Sequence, residues 1–385
     1  MALAFLKDFK KSLKKMETIV TDFGPPKFWY STGNLALNKV ISGSFAKGIP
    51  QGRVTCLAGP SGAGKSFILS NIVRNAQAEG AFVVMLDSEH AMDLGYLRKI
   101  GVDVSEEKFL YAGVTTFGDV VKVVSEFIIS YEKAYGRDNP DSPPVVIALD
   151  SVDMLITDTE NDHFQHGVQK GDQGQRAKQS KHMLRTIVSR VKRNPMAFLV
   201  THQVYPNADL MNGQGLWIVN NAIRYSASQI MLIVPAKLKE GADVIGVRMK
   251  VETYKSRFAQ VGTRVEVEVP YNKGMNPYSG FLDMMETLGV VTTAGAWKSL
   301  ALPGQEVKKF QTKHLDADLV ALIMSHPIVA ESEKSILELM ADEASYAAAE
   351  AEDAARFAAE AEANGVASLA DLEDMIPESD TGEEE

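Results

Sequence analysis

Cysteine is almost absent: Cys56 is the only one in 385 residues, which excludes an internal disulfide and any cysteine-rich zinc site. A reducing, cytoplasmic compartment is therefore expected. Long apolar runs are missing too. None approaches the ~20 residues that a membrane-spanning helix needs, and no membrane partner is expected. The opening MALAFL is apolar, but KDFKKSLKKMET follows at once, without the extended apolar stretch and small-residue cleavage site of a secretory signal.

The body of the chain also lacks net acidity, although the formal charge of the whole is −10. From Ala341 onward fifteen Asp and Glu face a single basic residue, Arg356, so residues 1–340 carry a net charge of +4. The mildly basic body suits an anionic ligand, and the tail ending in PESDTGEEE reads as a disordered, solvated terminus able to compete with such a ligand. With 45% apolar and 23% charged residues, the chain has room for one large α/β core and smaller appendages.

Residues 4–19 place Phe5, Leu6, Phe9, Leu13, Met16 and Ile19 at near-helical spacing among lysines, until Pro25 and Pro26 break the pattern. From Arg53 onward strand-like runs alternate with helical or loop segments: VTCLAG, AFVVMLDS, KFLYAGV, VVIALDS, AFLVTHQV, QIMLIV, VRMKVET and RVEVEVPY. The early runs are almost continuously apolar, as in parallel strands buried on both faces, whereas RVEVEV alternates as a one-sided antiparallel strand does. This predicts an α/β fold with a mostly parallel, twisted sheet flanked by helices. After Gly280 a helical segment, FLDMMETLGV, gives way to an irregular stretch. Helical patterns return in LVALIMS and in the alanine- and glutamate-rich segment beginning EKSILELM. The expected organisation is an N-terminal helix (1–29), a core (30–285), a C-terminal domain (286–345) and an acidic tail (346–385).

Residues 59–66, GPSGAGKS, fit the phosphate-binding loop G-x-x-x-x-G-K-[ST] at every fixed position and lie between an apolar strand and a helical pattern. Gly59, Gly62 and Gly64 allow the backbone, with Pro60, Ser61 and Ala63, to curl until successive N–H groups and the helix start, including Phe67, converge on phosphate oxygens. Lys65 is expected to reach the β- and γ-phosphates, and the Ser66 hydroxyl to ligate Mg²⁺. VVIALDS ends in Asp150, the form of a Walker B strand whose carboxylate holds the water shell of that Mg²⁺. The next residue is Ser151, not an acid, so the hydrolytic base must come from elsewhere. Glu89, in AFVVMLDSEHAMD, belongs to the same ligand-binding edge of an α/β sheet and can orient and deprotonate a water. Asp87 reads as structural.

In order along the chain, STGNLALNKVISGSFAKGIPQGRVTCLAGPSGAGKS, LDSEHAMDLGYLRKIGVD, VVIALDS and YNKGMNPYSGFLDMMETLG resemble the bacterial RecA-type homologous recombinases. VETYKSRF and NKGMNPYSGFLDM are similar to the recombinases of T-even-like bacteriophages, the UvsX group. The resemblance covers roughly residues 30–300 and implies a RecA-like ATPase core using ATP and Mg²⁺. By position it makes Glu89 the catalytic glutamate, Asp93, Tyr96 and Tyr271 neighbours of adenine, and Gln203 the sensor that relays the γ-phosphate to DNA. His202 stands where many relatives have Asn; a histidine at a strand end is otherwise a hydrogen-bonded structural residue. Lys255 and Arg257 correspond to cations contributed across a subunit interface to a neighbour's ATP.

The polar stretch DTENDHFQHGVQKGDQGQ matches the family's first DNA-binding loop. The following RAKQSKHMLRTIVSRVKR puts Lys178, Lys181 and Arg185 on one helical face, where relatives contact the DNA backbone. PNADLMNGQGLWIVNN, residues 206–221, matches the second loop, with Met211, Trp217 and Asn221 as DNA-binding candidates. Val219 and Asn220 replace glycines common in bacterial relatives. The implied function is ATP-dependent strand exchange by a helical filament on single-stranded DNA that pairs with homologous duplex. The N-terminal helix would dock on the next subunit; its basic face alternatively suits a membrane or nucleic-acid patch. A recombination mediator and a single-strand-binding protein are the implied partners. The rival readings are a ring-forming hexameric helicase on the same core, and a DNA-coating protein that uses nucleotide only as a structural switch.

Overall fold

The computed structural model describes residues 9, 12–13, 26, 28–137, 139, 141–168, 174–206, 217–271 and 274–333. Phe5 and most of the expected N-terminal helix, Met211 and the acidic tail lie outside them.

Eight strands form one sheet. They are β1 (Val54–Gly59), β2 (Phe82–Asp87), β3 (Phe109–Gly113), β4 (Val145–Asp150), β5 (Met196–Gln203), β6 (Gln229–Glu240), β7 (Asp243–Lys255) and β8 (Arg264–Pro270). Their order is β8-β7-β6-β1-β5-β4-β2-β3. The six strands from β6 to β3 in that order run parallel, and β7 and β8 are added antiparallel. All eight apolar runs in the sequence are strands of this sheet, with the parallel and antiparallel parts as their patterning predicts.

Side-chain alternation explains why the parallel strands read as continuously apolar. Leu57, Met85, Ala148, Leu199 and Met231 face one core, together with Ile68, Leu69 and Ile72 of helix α2 (Lys65–Ala78) and residues of helix α1 (Leu35–Ser42). Cys56, Leu86, Ile147, Phe198 and Ile230 face the opposite core. There they meet helices α4 (Phe117–Tyr135), α6 (Gln175–Val191) and α7 (Asn221–Ser226), whereas the short helix α3 (Leu94–Ile100) follows β2 on the first face and buries Leu97 there. Both faces thus exclude water, and each fully buried Leu, Ile or Phe contributes about 1.5–3 kcal/mol. On β8, by contrast, Val265, Val267 and Val269 are buried while Glu266 and Glu268 lie outward, paired across the strands with Lys250 at 3.2 Å and Arg248 at 2.7 Å.

Strand β6 outruns its parallel neighbour. It pairs with β1 only over Gln229–Leu232, yet continues with β7 as a hairpin to Glu240–Asp243. The overhang passes behind the segment that follows β1.

Two segments differ from the sequence expectation. Residues 291–310, read as irregular, hold a small antiparallel sheet of β9 (Val291–Ala294), β10 (Trp297–Leu300) and β11 (Lys308–Phe310). Residues 158–165, read as part of a polar loop, form helix α5 (Asp158–Gln165), started by a reciprocal capping box between Thr157 and Glu160. The small sheet packs with helices α8 (Phe281–Thr287), α9 (Ala317–Met324) and α10 (Pro327–Ser332) around a third core. Phe45 enters that core from near the other end of the chain, meeting Phe281 edge to face at 5.5 Å.

Candidate functional site

The phosphate loop leaves the C-terminal end of β1 and runs into α2 with almost no room on its inner side. A Cβ on Gly59 would lie 2.4 Å from the carbonyl oxygen of Ile233 on the β6 overhang. Gly64, at φ 87°, would put one 2.3 Å from the terminal carbon of Met249 on β7. Gly64 caps α2 without a side chain, so the N–H groups of the first helical turn are open to an anion from outside the protein. Ala63 is buried, Phe67 packs partly against the core, and Ser61, Gly62 and Ser66 are exposed. Lys65 folds back, donating from Nζ to the carbonyls of Gly59 (3.0 Å) and Pro60 (2.9 Å). Burial lowers the Lys65 pKa, while Asp150, Asp153 and Glu89 pull it upward. Three carboxylates thus act on the charge of one half-buried ammonium.

Register brings those carboxylates together. Asp87 of β2 lies beside Asp150 of β4, and Gly59 beside Gln203 of β5. Asp150 is buried and accepts a hydrogen bond from the Thr201 hydroxyl. Glu89 Oε1 accepts from the Ser151 hydroxyl at 3.1 Å, and Ser151 is itself fastened to Ser88, whose Oγ accepts from its N–H at 2.9 Å. The non-acid after Asp150 therefore orients the glutamate, a contact that the primary sequence does not reveal. Asp87 is structural, as expected: only 2% exposed, it accepts from the N–H groups of Glu89 (3.0 Å) and Met92 (2.9 Å) and from the Tyr111 hydroxyl (3.0 Å). It holds the turn that carries Glu89. Beside it, His90 adopts a left-handed φ of 52°.

Gln203 ends β5, and its N–H donates to Asp153 Oδ2 at 2.5 Å. His202 Nδ1 lies 2.9 Å from Asp153 Oδ1, and its Nε2 accepts from the Asn220 N–H at 3.1 Å. Asp153 belongs to a short 3₁₀ turn after β4. No motif marks it, because its partners are about fifty residues away in sequence.

Asp93 caps α3 by accepting from the Gly95 N–H at 2.6 Å, and Tyr96 stands 45% exposed on the same helix. Tyr271 is exposed at the end of β8. Because β8 runs in the same direction as β1, Tyr271 emerges at the sheet edge that carries the phosphate loop. Lys255 and Arg257 form a separate basic group with Arg224: burial lowers the Lys255 pKa, and the two guanidinium groups lower it further. Lys255 Nζ donates to the Arg224 carbonyl. On α6, Lys178, Lys181 and Arg185 are exposed along one face, while Met183, Leu184 and Ile187 are buried on the other. Asn221 is exposed at the start of α7, and Trp217 enters the description only through its backbone pairing with Pro206.

Among the described residues no group of three or more His, Cys, Asp or Glu gathers as a metal cage. The donors present, Ser66 and Asp150, fit instead a magnesium ion that shares its shell with phosphate oxygens and water. Open helical N–H groups, a lysine parked on loop carbonyls and a hydroxyl beside them gather anion-binding groups at one end of the sheet.

Fold and site together define a phosphate-loop nucleotide-binding core with a mostly parallel sheet. A family model described as the RecA N-terminal domain matches residues 27–276, more than half of the chain, and the protein belongs to the RecA family. Similar relatives include Protein RecA of Aquifex pyrophilus, 27% identical over 309 residues that cover 78% of this chain and 82% of the relative. Protein RecA of Geobacter sulfurreducens is 27% identical over 270 residues, covering 70% of this chain and 74% of the relative.

Proposed function

We propose that this protein is an ATP-dependent DNA strand-exchange recombinase that polymerises on single-stranded DNA and pairs it with homologous duplex. One observation carries the reading: Lys65, Asp150, Glu89 and Gln203 converge at one sheet edge, and the strand holding Gln203 leads into the segment 206–221 and helix α7. Bound ATP with Mg²⁺ supplies the phosphoryl group and the charge that neutralises it. The first turn of α2 and Lys65 bind phosphate, Ser66 and Asp150 hold the hydrated ion, and Glu89, steered by Ser151, takes a proton from water. Asp93, Tyr96 and Tyr271 are assigned to the adenine.

Lys255 and Arg257 are assigned to a neighbouring subunit's nucleotide, since within one chain they cluster with Arg224 and not with the carboxylates around Lys65. The exposed Lys178, Lys181 and Arg185 would neutralise DNA phosphates, with Asn221, Met211 and Trp217 assigned to the second DNA segment. The segments VETYKSRF and NKGMNPYSGFLDM support a place among phage-type recombinases, with a mediator, a single-strand-binding protein and a cytoplasmic setting. No described helix is long and apolar enough to cross a membrane. ATP turnover measured with and without single-stranded DNA tests the proposal: stimulation by DNA is expected, and its absence would sink the reading. Electron microscopy with DNA and a slowly hydrolysed ATP analogue should show helical filaments; closed rings would point to a helicase.

A further inference from the structure

Asp153 occupies a position that strand pairing leaves vacant. Strand β4 stops pairing with β5 at Leu149–Val200, whereas β1 continues along β5 as far as Gly59–Gln203. Beyond Val200, β5 therefore has a ladder on one side only. The Asp153 carboxylate stands on the other side and takes the Gln203 N–H at 2.5 Å, as a neighbouring strand's carbonyl would. It holds a second group at the same time, the Nδ1 of His202, at 2.9 Å from Oδ1 and 3.1 Å from Oδ2. The His202 ring is buried, and its Nε2 accepts the Asn220 N–H. A ring nitrogen that accepts carries no proton, so the proton lies on Nδ1 and points to Asp153.

The resulting chain of contacts is continuous. Val204 donates its N–H to the Gly59 carbonyl, at the root of the phosphate loop, at 3.3 Å. The neighbouring Gln203 and His202 are gripped by Asp153. His202 reaches Asn220, whose side chain caps α7 by accepting from the Ala222 N–H at 2.7 Å. Near its far end, α7 presents the Arg224 carbonyl to Lys255. Asp153 also lies near enough to Lys65 to act on its charge. A backbone partner for Gln203 would be fixed by the sheet. A side-chain carboxylate can release the strand end or the imidazole while the β1–β5 ladder stays paired, so the junction has a degree of freedom that a regular strand lacks.

We propose that Asp153 is a positioning residue that couples the phosphate loop to helix α7: by holding the Gln203 amide and the His202 ring together, it makes affinity for DNA depend on which nucleotide is bound. The proposal rests on the recombinase reading and adds to it a residue outside the phosphate-loop and Walker B motifs. Spatial continuity alone does not establish coupling, so the test measures coupling directly.

The full-length protein is titrated with fluorescent oligo-dT at fixed salt, once with Mg²⁺ and ADP and once with Mg²⁺ and a slowly hydrolysed ATP analogue; the ratio of the two Kd values is the readout. Asp153→Asn keeps the volume but removes the charge and turns one carboxylate oxygen into an NH₂ donor that faces the Nδ1 proton or the Gln203 N–H, and it should shrink that ratio at least fivefold. Asp153→Glu, which keeps both acceptor oxygens, should restore part of it. Because Asp153→Asn could fail to fold, His202→Phe reads the junction from its other end: it keeps a buried ring but loses both hydrogen bonds, and it should shrink the ratio similarly. The double variant should lose no more than the larger single loss, since both act on one junction. A ratio within twofold of the unaltered protein, in either folded single variant, overturns the proposal and leaves the recombinase reading standing. An unaltered protein whose DNA affinity ignores the nucleotide overturns both.

Discussion

Replacing Asp87 by Asn tests whether Glu89 is placed by the turn beneath it. The carboxylate is 2% exposed and accepts three hydrogen bonds: Oδ1 from the Glu89 N–H at 3.0 Å, Oδ2 from the Met92 N–H at 2.9 Å and from the Tyr111 hydroxyl at 3.0 Å. Asparagine has one acceptor oxygen and one donor nitrogen. In its better orientation the oxygen keeps Met92 and Tyr111, and the amide nitrogen faces the Glu89 N–H, donor against donor. One charge-assisted bond worth about 1.5–3 kcal/mol is lost, and two others fall to the neutral range of about 0.5–1.5 kcal/mol. Because a neutral amide costs less to bury than a carboxylate, part of that loss is offset; a net destabilisation of about 2–4 kcal/mol follows, or a fall in Tm of about 2.5–5 °C for a protein of this size. The unpaired N–H belongs to Glu89 itself, so turnover should fall with stability. Differential scanning fluorimetry together with a phosphate-release assay reads both quantities. Tyr111→Phe removes only the half-exposed partner and should cost about 1 kcal/mol. Asp87→Asn with an unchanged Tm, or with normal turnover, would refute the assignment of Asp87 as the support of Glu89.

Glu89→Gln should leave Tm within a degree or two, bind nucleotide and DNA, and hydrolyse about 10²–10⁴-fold more slowly; normal turnover would remove Glu89 from its role. Alanine at Lys178, Lys181 or Arg185 should each reduce the slope of log K against log salt by about 0.7 for single-stranded DNA, and unchanged slopes would show α6 to be merely solvated. Neither Lys255→Ala nor Lys65→Ala alone should turn over ATP efficiently, but co-assembled filaments should recover part of the activity if Lys255 acts across subunits. Failure to recover any activity in verified mixed filaments counts against that arrangement.

The sheet was legible because its parallel strands are buried on both faces and its antiparallel edge on one, and both conditions leave a pattern in the residues themselves. RVEVEV displays its buried valines and paired glutamates directly. The small sheet of residues 291–310 was hidden because VTTA, WKSL and KKF are short and bury one residue each. Helix α5 buries none, so apolar periodicity could not reveal it; the Thr157–Glu160 capping box was the available signal. Within the site, the phosphate loop and Walker B residues follow from local motifs, and Glu89 from its place at a strand end. Ser151 and Asp153 could not be found that way: each owes its role to a partner brought near by strand order, Glu89 in one case and His202 with Gln203 in the other.

The overhanging β6–β7 hairpin serves as a rigid wall for the phosphate loop, through the Ile233 carbonyl at Gly59 and Met249 at Gly64. The geometry of the anion cradle is therefore set as much by a hairpin outside the parallel strands as by the loop's own glycines. The hairpin pairs with β1 over only four residues, and β8 supports it further by pairing with Gly246–Glu252 of β7. A shift of this hairpin would be met first at Gly59 and Gly64, so a change outside the loop bears on the room left for the phosphates.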